Sequence, residues 1–439
     1  MGFMPTKHWL MGAGIACGLG LVWGIAAQTT GETTLIPIDH PAIQYDTRPV
    51  DDRVTRLSRD LLSGKIHLTP GPEGYLPGLL KALGINPDSQ SLVFSKTSFQ
   101  AARIDPRNPR ALYFSDDAMV GFVRGSDLLE VAAVDPKQGV VFYSFNGATN
   151  PPSFDRRDAC LQCHTSPGTL GIPGLLIASS YTDESGMPAF RGGQRITDDR
   201  TPFEDRWGGW YVTGTHGGMR HIGNAVGHDS AHPEVLDLHD TQNLTSLAKK
   251  FDDHGYLSGL SDIVALMTLE HQTRMTNLMI RVGWEARIAE ASGVNPTALS
   301  QANQAQFETD LESLVTYMLF ADEATLHGPV KGVSTFTQTF AARGPRDHQG
   351  RSLRDFDLEK RLFRYPLSYM VYSEAFDAMP AQVKDRVYRR LYDVLTGRDQ
   401  SAKFKRLSAE DRRAVLEILR DTKPGLPEYF KTDAVAAAR

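Results

Sequence analysis

Cys160, Cys163 and His164, in the run Cys160-Leu161-Gln162-Cys163-His164, are the residues of this chain whose types and spacing define a specific chemistry. Two thiols separated by two residues, with an imidazole directly after the second, make the C-x-x-C-H attachment site of c-type haem. The thiols add to the porphyrin vinyl groups as thioethers, and the imidazole takes one axial position on the iron. A redox dithiol of thioredoxin type also uses C-x-x-C and sits at the end of an apolar strand; here Arg157-Asp158-Ala159 precede the motif. The third cysteine of the chain, Cys17, lies in a leader-like segment. The sequence therefore reads as one covalent haem c, anchored at Cys160 and Cys163 and ligated by His164.

The position opposite His164 decides what such an iron is used for. A strong sixth ligand suits electron transfer, and an open position admits small ligands. His271 is the first candidate, because Met267, His271, Met275 and Met279 recur every four residues and share a face of a predicted helix. His216, Met219 and His221 are alternatives in the Gly-rich run Thr215-His216-Gly217-Gly218-Met219-Arg220-His221, and Met187 is a weaker one. The porphyrin propionates call for cationic partners. Arg156 and Arg157 stand next to the motif, with Arg220 a further option. The group His228, His232, Asp237, His239 and Asp240 matches no metal-ligand spacing and reads as a polar loop.

The amino terminus agrees with an exported haem protein. Lys7 and His8 precede an apolar run from Trp9 to Ala27 that ends in Ile25-Ala26-Ala27, followed by Gln28-Thr29-Thr30. That is the pattern of a signal peptide, and the run is also just long enough to serve as an N-terminal anchor. Either outcome predicts a periplasmic or secreted protein with no further integral span.

The elements that must hold the motif follow from patterning. The chain has 439 residues, is 41% hydrophobic and 23% charged, and has a formal charge of −5. Those fractions suit a globular protein, and the weak acidity excludes a nucleic-acid surface. The class expected is α+β: a β-containing N-terminal half and a loop-rich haem c segment packed on a mostly helical C-terminal half. Four regions are expected, namely a signal peptide or anchor over 1–27, a mixed α/β region over 28–150, the haem-binding segment over 151–258 and a helical region over 259–439. A helix is predicted near Val54–Leu62. Strands are predicted at Leu92–Phe94, Leu112–Phe114, Val120–Val123, Leu128–Val134 and Val140–Phe145, the last two joined by a turn at Asp135–Gly139. Leu175–Ser180 and Trp210–Thr213 are short strand candidates. Beyond Gly259, helices are predicted from a Ser261 cap to Ala291, along the Phe307–Met318 and Val383–Leu395 stripes, over Leu362–Phe376 with an interruption or start at Pro366, and after a Ser408/Asp411 capping box.

The chain resembles a large, uncharacterised family of exported bacterial single-haem cytochrome c domain-containing proteins. The likeness lies in Leu92–Gln100, Pro109–Phe114, the haem motif, Arg206–His216, Leu269–Gln272 and Arg361–Phe376. It implies haem ligation by Cys160, Cys163 and His164 and assigns no distal residue. The function expected is electron transfer with a redox partner protein. A haem enzyme of peroxidase or oxidase type with a displaceable sixth ligand is the alternative, and a haem-based ligand sensor a second one.

Overall fold

A computed structural model of the chain describes residues 34–189, 192–229, 231–293 and 301–431. The predicted leader, with Cys17, lies outside them.

The fold is α+β. Two helices come first, α1 (Arg53–Leu62) and α2 (Leu76–Ala82), then a six-stranded antiparallel meander: β1 (Ser91–Val93), β2 (Arg110–Phe114), β3 (Ala118–Val123), β4 (Leu129–Asp135), β5 (Gly139–Asn146) and β6 (Ser153–Arg156). Helix α1 is held by a capping box in which Asp52 and Thr55 exchange hydrogen bonds. The β4–β5 hairpin turns where predicted: Asp135 pairs with Gly139, and its Oδ1 accepts from the Lys137 and Gln138 amides.

Strand register assigns the two faces of the sheet. Leu112, Gly121, Glu130, Ser144 and Asp155 form one cross-strand row, and Phe114, Met119, Ala132 and Phe142 form the next row on that same face. Tyr113, Val120, Val131 and Tyr143 belong to the opposite face. There the Tyr143 hydroxyl donates to Asp52 at 2.6 Å, which ties that face to α1.

Segment 157–262 is mostly irregular, as its Gly and Pro content predicts. Among its described residues, apart from short 3₁₀ turns, the regular pieces are the single turn α3 (Leu161–His164) and the two-stranded β7 (Ala178–Ser180) and β8 (Gln194–Ile196). Trp210–Thr213 forms only isolated bridges, Val93 with Trp210 and Thr213 with Asp262. Strand β6 went unpredicted, because Ser153-Phe154-Asp155-Arg156 is short and polar at an edge.

The helical half is built on α4 (Ile263–Ala291). It is buried on nearly every side rather than along one stripe, and its buried residues include Glu270, His271, Asn277 and Arg281 as well as its apolar side chains. Its cap is Asp262, whose Oδ1 accepts from the Val264 and Ala265 amides at 2.8 and 3.3 Å. The expected cap, Ser261, instead donates to the Tyr211 carbonyl. Around α4 lie α5 (Gln301–Met318), α6 (Phe336–Ala342), α7 (Glu374–Asp377), α8 (Ala381–Leu395) and α9 (Ala409–Thr422). The predicted stripes of α5 and α8 are buried, and the Ser408/Asp411 box opens α9. The helix expected over Leu362–Phe376 is not continuous. A 3₁₀ turn, Tyr369–Tyr372, is capped by Ser368, and α7 starts anew from Ser373, since each serine side chain takes up a backbone amide and ends the preceding segment. Among the described residues no helix is long and apolar enough to cross a membrane.

Candidate functional site

The motif sits directly after β6, on the Phe142 face of the sheet. The Arg157 amide continues the β5–β6 ladder by donating to the Phe142 carbonyl at 2.8 Å. The chain then tightens into a 3₁₀ turn, Asp158–Cys160, and into α3. That compact turn brings both thiols and the imidazole close together. Cys160 is half-buried, Cys163 is exposed, and both are free thiols.

His164 is oriented from two sides. Its ring packs on Phe142, with centroids 4.6 Å apart. Its Nδ1 lies 2.8 Å from the carbonyl oxygen of Gly174. A carbonyl only accepts, so Nδ1 carries the hydrogen and Nε2 keeps its lone pair. Burial pulls the imidazole below its ordinary value, more than the Gly174 carbonyl raises it, so the ring is neutral near pH 7. A neutral imidazole fixed through one nitrogen and free at the other is the state that ligates metals. The residues present therefore fit a haem c anchor.

Gly174 is positioned in turn by α4. Asn277 accepts from the Leu175 amide at 3.0 Å and donates to the Leu175 carbonyl at 2.6 Å. A Cβ on Gly174 would lie 2.5 Å from Asn277 Oδ1. Only glycine fits there.

Next to the thiols an ion pair, Arg110–Glu130, lies on the sheet face, half-screened from solvent. A Cβ on Gly121 would lie 2.7 Å from the Arg110 guanidinium, so the bare glycine gives it room. Burial pushes the Cys160 thiol up, as does Glu130, against Arg110 and Arg157. Phe142, Gly174, Arg110 and Glu130 were not singled out in the sequence. The signals available were the Pro173-Gly174 pair and the run Pro109–Phe114.

The two expected propionate partners diverge. Arg156 pairs across the ladder with Tyr143, so it leaves the sheet on the face opposite Ser144 and Glu130. It stacks on Tyr45 at 4.5 Å and binds Asp158 and the Tyr45 carbonyl. Its assignment to the cofactor is corrected on that ground. Arg157 is on the motif's face, exposed, with Nε donating to Ser144 Oγ at 2.7 Å.

The distal candidates are placed elsewhere. His271 is fully buried, with Nδ1 2.8 Å from Asp199 Oδ2 and Nε2 2.8 Å from Ser368 Oγ. Tyr317 and Phe320 stack on its ring. Both nitrogens of the expected distal residue are thus hydrogen-bonded within the core, away from the partners of His164. His216 and His221 are buried against Phe203, with ring centroids 4.9 Å from each other. His216 Nε2 accepts from the Asn243 amide, and His221 Nδ1 accepts from the Gly223 amide. Met219 Sδ accepts from the His327 amide. None of these four shares a hydrogen-bond or ring partner with His164. His228, His232 and His239 lie exposed, beside Glu184, Glu234 and Asp240 in turn, and do not converge. Among the described residues only Asp347, His348 and Asp421 bring three potential metal ligands together, and Asp347 is already bound by Arg351.

Beside His271 the core carries a buried charge cluster. Arg206 binds Glu270, with side chains 2% and 0% exposed, and also the Thr201 and Asp199 carbonyls. A cleft of about 430 Å³ opens next to it, floored by Asp199, Tyr317 and Phe320.

Comparison with known proteins returns no matching family model, no matching curated protein and no matching solved structure.

Proposed function

We propose that the chain is a periplasmic mono-haem c-type cytochrome that carries electrons to or from a partner protein. The observation that carries this reading is the pairing of the C-x-x-C-H motif with the geometry of His164: two free thiols in one tight turn, and a neutral imidazole pinned through Nδ1 with Nε2 open. A haem c bound there supplies reversible one-electron chemistry. The chain's own residues do the rest. Cys160 and Cys163 fix the ring's position, Gly174 and Phe142 orient His164, and the exposure of Cys163 leaves one edge accessible to a docking partner.

The dispersal of His271, His216, His221 and Met219 favours a second reading in part. With those four engaged elsewhere, an exchangeable sixth position is expected, as in a haem enzyme or a ligand-binding protein.

The test is intact-mass analysis and haem-stained denaturing electrophoresis of the native protein. The expected result is one haem on the processed chain, lost in the Cys160→Ala/Cys163→Ala double variant. A native mass equal to the bare polypeptide overturns the proposal. An absorption spectrum of the reduced protein with and without carbon monoxide then separates the two readings: an unchanged spectrum marks a carrier with a strong sixth ligand, and a shifted one an open site.

A further inference from the structure

We infer that the loop Ser95–Gln100 forms the second wall of the haem site, with the Phe99 ring covering the porphyrin held at Cys160 and Cys163; this rests on the haem c reading above.

The loop is rigid and well anchored. The Phe94 and Ser95 amides both donate to the Gly209 carbonyl, and the Lys96 amide donates to the Gly186 carbonyl. Ser98 Oγ accepts from the Gln100 amide, and the buried Gln100 side chain reaches the Leu128 carbonyl. Held this way, the loop nonetheless points Phe99 into solvent, 69% exposed. A single exposed apolar residue is ordinary, and Phe99 gains meaning only from its position.

That position is next to the anchor. Ser98 Oγ donates to Glu130 Oε1 at 3.5 Å. Glu130 pairs with Arg110 on the same sheet face. Glu130 lies across the ladder from Ser144, whose Oγ accepts from Arg157 Nε three residues before Cys160, and Phe142, on the next row of that face, packs on His164. The loop and the motif thus stand on either side of one ion pair, and Phe99 is the large apolar side chain exposed on the loop's side of it. A flat apolar macrocycle tethered to Cys160 supplies the surface that this ring lacks. Aromatic rings make favourable edge or offset contacts with such a plane.

The experiment uses the full chain loaded with haem, with 4-fluorophenylalanine placed at position 99. The expected result is a fluorine resonance that shifts between the ferric and ferrous forms and broadens in the ferric form. The same label at Phe430, packed against Tyr388 and Tyr392 in the helical half, stays unshifted. In parallel, Phe99→Ala retains covalent haem by mass, because the residue is exposed and folding does not depend on it, yet changes the midpoint potential through greater solvent access to the ring. A fluorine signal identical in both oxidation states, together with an unchanged potential in Phe99→Ala, overturns the inference and leaves the haem c reading standing. A protein with no covalent haem overturns both.

Discussion

Asn277, midway along α4, grips the backbone of Leu175 in both directions, accepting its amide hydrogen at 3.0 Å and donating to its carbonyl at 2.6 Å. The residue before Leu175 supplies the carbonyl that orients His164. Asn277→Ala removes both bonds and leaves two buried backbone groups unpaired. The expected loss is about 2–4 kcal/mol of unfolding free energy, at the usual penalty per unsatisfied group. Gly174→Ala drives a Cβ against the same amide and is expected to cost about 1–3 kcal/mol by overpacking. Denaturant midpoints measure both.

His271 separates two roles that one residue type can play. Its truncation strands the buried Asp199 carboxylate and the Ser368 hydroxyl. His271→Ala is expected to destabilise the fold by about 3–5 kcal/mol, the range for breaking a buried pair. With haem c bound at Cys160 and Cys163 as proposed, covalent haem per folded molecule and the visible spectrum are expected to stay unchanged, because His271 shares no contact with His164. A variant that folds normally but loses a low-spin spectrum would restore His271 as the distal ligand.

The buried acids predict how stability varies in the neutral range. Burial raises Glu270 to about 8 from its ordinary 4.5, in opposition to Arg206, and Glu285 and Glu323 likewise reach about 8. The folded chain therefore keeps protons that the unfolded chain releases between those values. Proton binding that favours the native state makes stability fall as pH rises through this window and level off above about 8. Glu270→Gln is expected to flatten part of that slope, and to cost far less than Arg206→Ala, which takes from Glu270 and from the Thr201 and Asp199 carbonyls their shared buried donor. Melting temperatures across this pH range check both statements.

His221 acts in the opposite sense at lower pH. Burial, reinforced by His216, holds its imidazole down to about 3 from 6.5. The unfolded chain binds this proton first, so stability falls as pH drops below 6.5, by roughly 1.4 kcal/mol per unit at full effect. His221→Gln, which keeps an acceptor for the Gly223 amide, is expected to soften the acid limb of the stability curve, read by denaturant unfolding at several pH values.

What the sequence revealed about this molecule depended on whether the signal was local. The β-prone runs of β4 and β5, the Asp135 turn, the stripes of α5 and α8 and the Ser408 box are short-range patterns, and each is present. Failures came where distant groups decided the outcome. Ser261 looked like a cap until Tyr211, fifty residues earlier, took its hydroxyl. The Leu362–Phe376 run reads as helix broken or begun at Pro366, but it is Ser368, held by His271 from 97 residues away, and Ser373 that divide it. Within the site, adjacency misled for Arg156, since successive residues of a strand face opposite ways. Only the fold could show that Gly174 and Phe142 complete the setting of His164. His271 looked like a ligand because its spacing put it among methionines; its true partners, Asp199 and Ser368, are 72 and 97 residues away.

The long helix α4 has a consequence for the order of events during synthesis. Arg281 binds the Leu170 carbonyl and Asn277 binds Leu175, each more than a hundred residues downstream of its target. A chain emerging amino end first exposes its two thiols well before the helix that will brace them. Throughout that interval the Leu175 backbone, next to the carbonyl that orients His164, lacks the two hydrogen bonds that Asn277 gives it. Arrival of residues 263–291 then completes the setting of the imidazole.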